Sequence, residues 1–187
     1  MCSLLGNSKL DFLLKELSET KDISGDLAEV GVYKGGTALK MAQDMPDKAI
    51  HLFDTFKGIV GAVEGLDVHG NGDFGDCSLD IVKNLMSSSK AIFHVGMFPE
   101  TFKGSENLKF SFVHSDTDTY LGATETLKIF VPRVAPGGKI LFDDWKWRGC
   151  PGVEKAVTEF IARNMRKISC GAIRIKEQGN QIVLTFM

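Results

Sequence analysis

Cysteine is scarce and scattered in this sequence, and the scatter excludes two classes at once. Cys2, Cys77, Cys150 and Cys170 show neither the paired spacing of a zinc site nor the density of a disulfide-stapled secreted domain, so free thiols are expected. No block of Lys and Arg occurs, and the formal net charge is only -2 with 25% charged residues, which argues against a nucleic-acid partner. No apolar run approaches the length of a membrane span, and the N-terminus Met1-Cys-Ser-Leu-Leu-Gly-Asn lacks the charged and apolar regions of a signal peptide. A cytoplasmic protein is the expectation. Repeats, linkers and low-complexity tracts are also missing. With 187 residues, 43% of them apolar, the chain has material for one core: a single domain over 1–187, of which 1–24 forms a short N-terminal helical segment.

Among what is present, residues 25–37 (Gly-Asp-Leu-Ala-Glu-Val-Gly-Val-Tyr-Lys-Gly-Gly-Thr) stand out. Leu27, Val30 and Val32 have the character of a buried strand, Gly31, Gly35 and Gly36 let backbone approach a ligand closely, and Thr37 to Gln43 reads as helix. Tyr33 and Lys34 shape the turn, and Lys34 is also placed to meet a cofactor carboxylate. The order is Glu-x-Gly-x-x-x-Gly-Gly. It is neither the Gly-x-Gly-x-x-Gly of a dinucleotide site nor the Gly-Lys-Ser/Thr ending of a phosphate loop. A second strand ends in Asp54, 18 positions after Gly36, close to the separation at which a Rossmann-type fold places a carboxylate on a ribose diol. An Asp there also caps a turn in many proteins. Both features at the ends of neighbouring parallel strands favour a nucleotide-like cofactor.

Strand-like segments fall at 27–32, 49–53, 91–95, 109–114, 138–142, 171–175 and 181–186, with helical patterns at 10–17, 37–43, 79–86, 120–130 and 153–163. This alternation predicts an α/β fold, a Rossmann-like seven-stranded, mostly parallel sheet with helices on both faces. Only Lys176-Glu-Gln-Gly-Asn180 joins the last two strands, which suits a hairpin and makes the last strand antiparallel. Pro132 and Pro136-Gly-Gly138 separate the fourth helix from the fifth strand. The apolar face of 10–17 either covers the sheet or meets a second copy in a homo-oligomer.

The longest stretch without periodicity, Thr55 to Cys77, follows the second strand and reads as a lid or a mobile acidic loop, with His69 and Glu64 as residues it can carry into a site. The fourth strand ends in His114-Ser-Asp116-Thr-Asp118-Thr-Tyr120 and the fifth in Phe142-Asp143-Asp144-Trp145. Carboxylates from adjacent strand tips can share one hard cation at metal–oxygen distances of roughly 2.0–2.5 Å; without it they raise one another's pKa. Asp116, Asp143 and Asp144 are the expected ligands of Mg²⁺, and Asp118 is the expected helix cap. The absence of paired His and Cys argues against a soft metal. Trp145, Trp147 and Arg148 form either an acceptor wall or packing against the sheet edge. His51 and His94 read as structural, and His114, beside the acidic tip, is open.

These residues resemble the macrocin O-methyltransferase family. The resemblance lies in GDLAEVGVYKGGTA at 25–38, HLFDTFKG at 51–58, GMFPETF at 96–102, FVHSDTDTY at 112–120 and APGGKILFDDW at 135–145. It implies a seven-stranded fold with the last strand reversed, S-adenosylmethionine as cofactor, and methyl transfer to a hydroxyl, commonly of a sugar on a small natural product. It also implies that Glu29 and Gly31 line the methionine and ribose region, that Asp54 holds the ribose hydroxyls, that Gly96 and Met97 lie near adenine, and that Asp116, Asp143 and Asp144 bind the metal. Asp116 and His69 are the candidates for the base. Only 24 residues precede Gly25, fewer than relatives usually have, which suggests an open acceptor site or one completed by a second subunit.

Three other readings compete. A haloacid dehalogenase-type phosphatase matches Asp116-x-Asp118, but the 27 residues from Asp116 to Asp143 leave no room for its intervening motifs. A non-catalytic cofactor-binding module leaves the acidic cluster unexplained, and the glycine order disfavours a nicotinamide oxidoreductase.

Overall fold

The computed structural model describes residues 5–187. One sheet is built from β1 (Asp26–Val30), β2 (Ile50–Asp54), β3 (Ala91–Val95), β4 (Phe110–Ser115), β5 (Val134–Phe142), β6 (Ile173–Gln178) and β7 (Gln181–Phe186), in the order β3-β2-β1-β4-β5-β7-β6. Every pairing is parallel except those of β7, which runs against both β5 and β6. The expected reversal of the last strand is therefore present. Its turn is Gly179-Asn180 between the paired Gln178 and Gln181, and Gly179 takes the positive φ of 56° that such a turn asks of its first residue.

Helices α1 (Asn7–Ser18), α2 (Gly36–Asp44) and α3 (Leu79–Leu85) cover one face, and α4 (Tyr120–Phe130), α5 (Pro151–Arg163) and α6 (Met165–Ser169) the other. Central strands feed both cores alternately: Leu141 and Val183 pack under α1 and α2, whereas Ile140, Phe142, Ile182 and Leu184 pack under α4 and α5. Phe110 and Phe112 break this period. They share a parity, yet Phe110 joins the α4 core and Phe112 the α1 core. The cause is an irregularity in register, with Asp26 opposite Phe110 but Leu27 opposite Phe112, so that Ser111 is the extra residue. A larger irregularity sits in β5, where Val134 pairs with Phe110 and Lys139 with Phe112. Pro136-Gly137-Gly138, expected to lie before the strand, is instead absorbed within it. Also absent from the expected elements were α6 and the 3₁₀ turn Glu100–Phe102.

The apolar side of α1 is spent on the sheet. Phe12, Leu13 and Leu17 are fully buried, each contributing about 1.5–3 kcal/mol by leaving water. Any homo-oligomer would have to use another surface. Beside them Glu16, 1% exposed, accepts a hydrogen bond from Lys139 Nζ on β5 at 2.6 Å and a second from Lys176 on β6. Buried ion pairs of this kind fix geometry more than they stabilise. Lys9 lies two turns before Glu16 on the same side of the helix, so the network aims it at the C-terminal ends of the strands.

Candidate active site

The carboxyl ends of β1 to β5 open on one cleft of about 430 Å³, at the reversal of strand order between β1 and β4 where open α/β sheets take their ligands. Its floor is set by Gly31. With φ at 86°, a Cβ there would stand 2.0 Å from the carbonyl oxygen of Asp116, so only glycine lets the ends of β1 and β4 close together. Four residues on, Gly35 takes the left-handed conformation as the N-cap of α2, and the chain turns into the helix.

Asp54, at the tip of β2, holds this turn in place. Its Oδ2 accepts from the backbone N–H groups of Val32 at 2.7 Å and Tyr33 at 2.8 Å, and its Oδ1 from Phe56 N–H at 2.6 Å. A carboxylate has about four acceptor positions, so one remains for a ligand hydroxyl. Tyr33 Oη donates to Asp76 Oδ1 at 2.6 Å and Lys34 Nζ pairs with Asp76 Oδ2 at 2.7 Å, tying the turn to the far end of the 55–77 loop. Lys34 is thus committed to Asp76.

Under the floor, Glu29 and His114 face each other across the β1–β4 register, with His114 Nδ1 2.9 Å from Glu29 Oε1 and both side chains buried. Burial pushes Glu29 above the usual carboxylate range; the His114 contact and the Ala38 amide act in the opposite direction. Glu29 lines the cleft, and its Oε2 is a buried acceptor without a hydrogen-bond partner. Such an atom is a ready receiver for an amino or hydroxyl group of a ligand.

The acidic side is built differently. Asp116, Asp118 and Asp144 each bring an oxygen to within 4.8 Å of the other two. Burial, then the charges of Asp143, Asp118, Asp144 and Glu29, raises Asp116 well above the ordinary carboxylate range. Burial and the contact with Asp144 push Asp118 up to about 7. Asp118 and Asp144 both sit in the left-handed region, at φ 59° and 57°, unusual for residues with a side chain and a mark of strain held at a site. Carboxylate oxygens are the donors a hard cation prefers, and these three are the ones that would hold it. This corrects the sequence-based expectation in one respect. Asp118 does not cap α4, since Thr119 does so by accepting from Gly122 N–H at 3.2 Å. Asp143 is outside the trio and turns toward Lys9, whose Nζ lies 3.0 Å from Asp143 Oδ1 and 2.9 Å from Asp144 Oδ1. Burial weakens the charge on Lys9, but Asp143 and Asp144 more than reverse this and hold it protonated. Burial and Asp144 raise Asp143, opposed by His114 and Lys9.

Of the expected cofactor residues, Glu29, Gly31, Tyr33, Gly36, Thr37, Asp54, Gly96, Met97 and Asp116 all line the cleft, and Gly35 lies behind it against Val82. His69 is carried into the cleft by the long loop, whereas Glu64 is exposed and apart from it. The loop is held by paired turns, with Ile59 N–H on Asp73 O at 2.9 Å and Gly72 N–H on Ile59 O at 2.9 Å. Asp67 Oδ1 accepts from Tyr120 N–H at 2.9 Å, docking the loop at the start of α4. The tryptophans divide: Trp145 packs in the core, Trp147 lines the cleft, and Arg148 does neither. His51 contacts Asp26 at 3.2 Å and His94 at 2.9 Å, away from the cleft, in keeping with structural roles. Lys9, His114 and Cys150 are the members of the site that sequence reasoning did not assign; only the nearness of His114 to Asp116 hinted at one of them. Cys77, Cys150 and Cys170 are unbridged, and Cys2 lies outside the described residues.

The sequence matches the macrocin O-methyltransferase (TylF) family over residues 2–181. The chain belongs to that family. Within it, the chain is 26% identical over 165 residues to demethyldecarbamoylnovobiocin O-methyltransferase of Streptomyces niveus, covering 76% of this chain and 60% of the relative. It is 25% identical over 169 residues to the 8-demethyl-8-(2,3-dimethoxy-alpha-L-rhamnosyl)-tetracenomycin-C 4'-O-methyltransferase of Streptomyces olivaceus, covering 79% and 64%. The chain therefore spans less than two thirds of the length of these two relatives. Among solved structures, the O-methyltransferase NovP superposes with a TM-score of 0.79 at 21% identity over 99% of this chain and 82% of that one, which bears on the fold. Membership of a methyltransferase family sets the phosphatase reading aside. Among the described residues no helix is long and apolar enough to cross a membrane.

Proposed function

We propose that this chain is an S-adenosylmethionine-dependent O-methyltransferase that works with a hard divalent cation, Mg²⁺ first, on a hydroxyl of a small natural product, with a sugar hydroxyl as the leading acceptor. One observation carries the reading: the glycine floor and the carboxylate trio open on the same cleft and touch through Gly31 and the Asp116 carbonyl. The names of the two Streptomyces relatives support the acceptor class.

In this reading Gly31 and Gly36 admit the cofactor close to backbone, while Tyr33, Gly35 and Thr37 form the turn that holds it. Glu29 Oε2 receives its amino or hydroxyl hydrogens, Asp54 offers its remaining acceptor position to the ribose, and Gly96 and Met97 flank the base. Asp116, Asp118 and Asp144 would hold the cation, with Asp143, paired with Lys9, beside them. When bound, the cation would ease loss of the acceptor proton and fix the approach of its oxygen to the methyl group. His69, brought in by the loop and backed by Asp73 at 3.6 Å, takes that proton, with Asp116 the other group in place to do so. Trp147 offers a flat wall for the acceptor ring. The rest of the protein's work is alignment, because the methyl group arrives already activated.

The test is release of S-adenosylhomocysteine in the presence of a panel of deoxysugar and phenolic acceptors, with Mg²⁺ and with EDTA. Metal-dependent turnover that Asp144→Ala abolishes supports the proposal. Turnover unaffected by EDTA and by Asp144→Ala removes the metal from it.

A further inference from the structure

Three parts of the chain that are distant in sequence bring different donor atoms to one corner of the cleft. His69 comes from the long loop, Asp118 from the segment after β4, and Cys150 from the start of α5; one ligand atom of each lies within 4.8 Å of the other two. Cys150 Sγ stands 3.4 Å from Asp118 Oδ1 and 3.6 Å from Asp144 Oδ2. Around a tetrahedral zinc-like ion, with metal–sulfur and metal–oxygen bonds of roughly 2.3 and 2.0 Å, sulfur and oxygen sit about 3.5 Å apart. The thiol and carboxylates are already at that separation.

A second observation concerns the imidazole. His69 Nδ1 is turned toward Asp73 Oδ2 at 3.6 Å, which leaves Nε2 for an ion. A carboxylate behind a histidine in this way fixes the ring and makes the other nitrogen a better ligand. The loop needs no large movement, since Asp67 already docks it on the first residue of α4. Cys150 is 1% exposed and unbridged; it packs at the edge of the α4–α5 core and lines the cleft.

We propose that His69, Asp118 and Cys150 form a second metal site, selective for a borderline-soft divalent cation of the zinc class and distinct from the all-carboxylate trio. Nitrogen, oxygen and sulfur donors select such an ion, whereas three carboxylates select a hard one. On binding, the Cys150 S–H bond breaks, its proton passes to solvent, and the thiolate bonds the metal. Asp118 belongs to both donor sets, so the two ions compete for it. The soft ion also ties the loop to α5 and takes the His69 nitrogen, closing the site to an acceptor.

Co²⁺ added to the purified chain is the probe, because a cobalt–thiolate bond gives a near-ultraviolet charge-transfer band that carboxylates alone do not. The expected result is such a band in the parent, displaced by stoichiometric Zn²⁺, absent in Cys150→Ser, and at least about tenfold weaker in cobalt affinity in His69→Ala. Thermal melts of each variant establish that it is folded. Absence of the band in the parent overturns the site. So does a band that persists in Cys150→Ser, or one lost there but unchanged in His69→Ala. Titration of S-adenosylhomocysteine into the same samples reads the cofactor floor separately, so failure here does not depend on the methyltransferase proposal.

Discussion

The two halves of the cleft are built on opposite principles. On the β1–β2 side most of the groups that define the site are satisfied before any ligand arrives: three backbone amides fill most of Asp54 and Asp76 holds Tyr33 and Lys34, so that Glu29 Oε2 is the acceptor left open and Tyr33, at φ 49°, is kept in its left-handed conformation by these bonds. On the β4–β5 side, four carboxylates crowd together, two of them on strained backbone, with a single lysine for company among the described residues. The first half is preorganised for a ligand that brings its own shape. The second stores repulsion that a cation would relieve, at a cost in stability while none is bound.

The contrast can be broken at the point where the halves meet. Gly31→Ala would drive a methyl group into the Asp116 carbonyl at a positive φ, and should destabilise the fold by about 3–5 kcal/mol, read as a fall in Tm of about 10 °C. A change of under 2 °C would show that the two strand ends are not held together as described. Next in size, Asp54→Ala leaves the amides of Val32, Tyr33 and Phe56 without their acceptor and should cost about 3 kcal/mol. It should weaken S-adenosylhomocysteine binding yet leave Mn²⁺ binding, followed by electron paramagnetic resonance, unchanged. Loss of both would merge the two halves into one.

The acidic half should respond with the opposite sign. Asp118 is raised from 3.8 to about 7, so the folded chain holds a proton that the unfolded chain has lost between those values. The stabilising contribution is complete below 3.8 and disappears as the pH rises to about 7. Asp118→Asn should therefore raise the Tm of the metal-free protein at pH 8 by about 3–6 °C, and by much less at pH 5. A lower Tm at pH 8 would contradict stored repulsion. Smallest is Lys9→Met, which removes the tethered cation from Asp143 and Asp144. It should lower the metal-free Tm slightly and tighten Mn²⁺ binding by about three- to tenfold. Unchanged binding would mean that Lys9 does not oppose the metal.

How far the sequence could be read follows the same division. Strands buried on both faces, such as Ile50 to Phe53, announce themselves by composition, and the glycines of the turn by their spacing. The bulges at Ser111 and at Pro136-Gly137-Gly138 do not, because register is a property of paired strands rather than of either strand. The same holds for the site. Asp54 was legible from its distance to Gly36, although the amides it binds were not. Asp118 reads locally as a cap, and only its positive φ turns it into the cluster. Lys9 sits 135 positions from Asp144 and His114 85 from Glu29, separations at which no local pattern speaks.

The most direct test of a cleft with one half ready and one half waiting is calorimetric titration of S-adenosylhomocysteine into the metal-free chain in EDTA, repeated in Mg²⁺. The account predicts micromolar binding in EDTA, with at most a modest gain when Mg²⁺ is present. Absence of binding in both conditions would contradict it, and binding that appears only with Mg²⁺ would show that the cofactor floor is not preorganised.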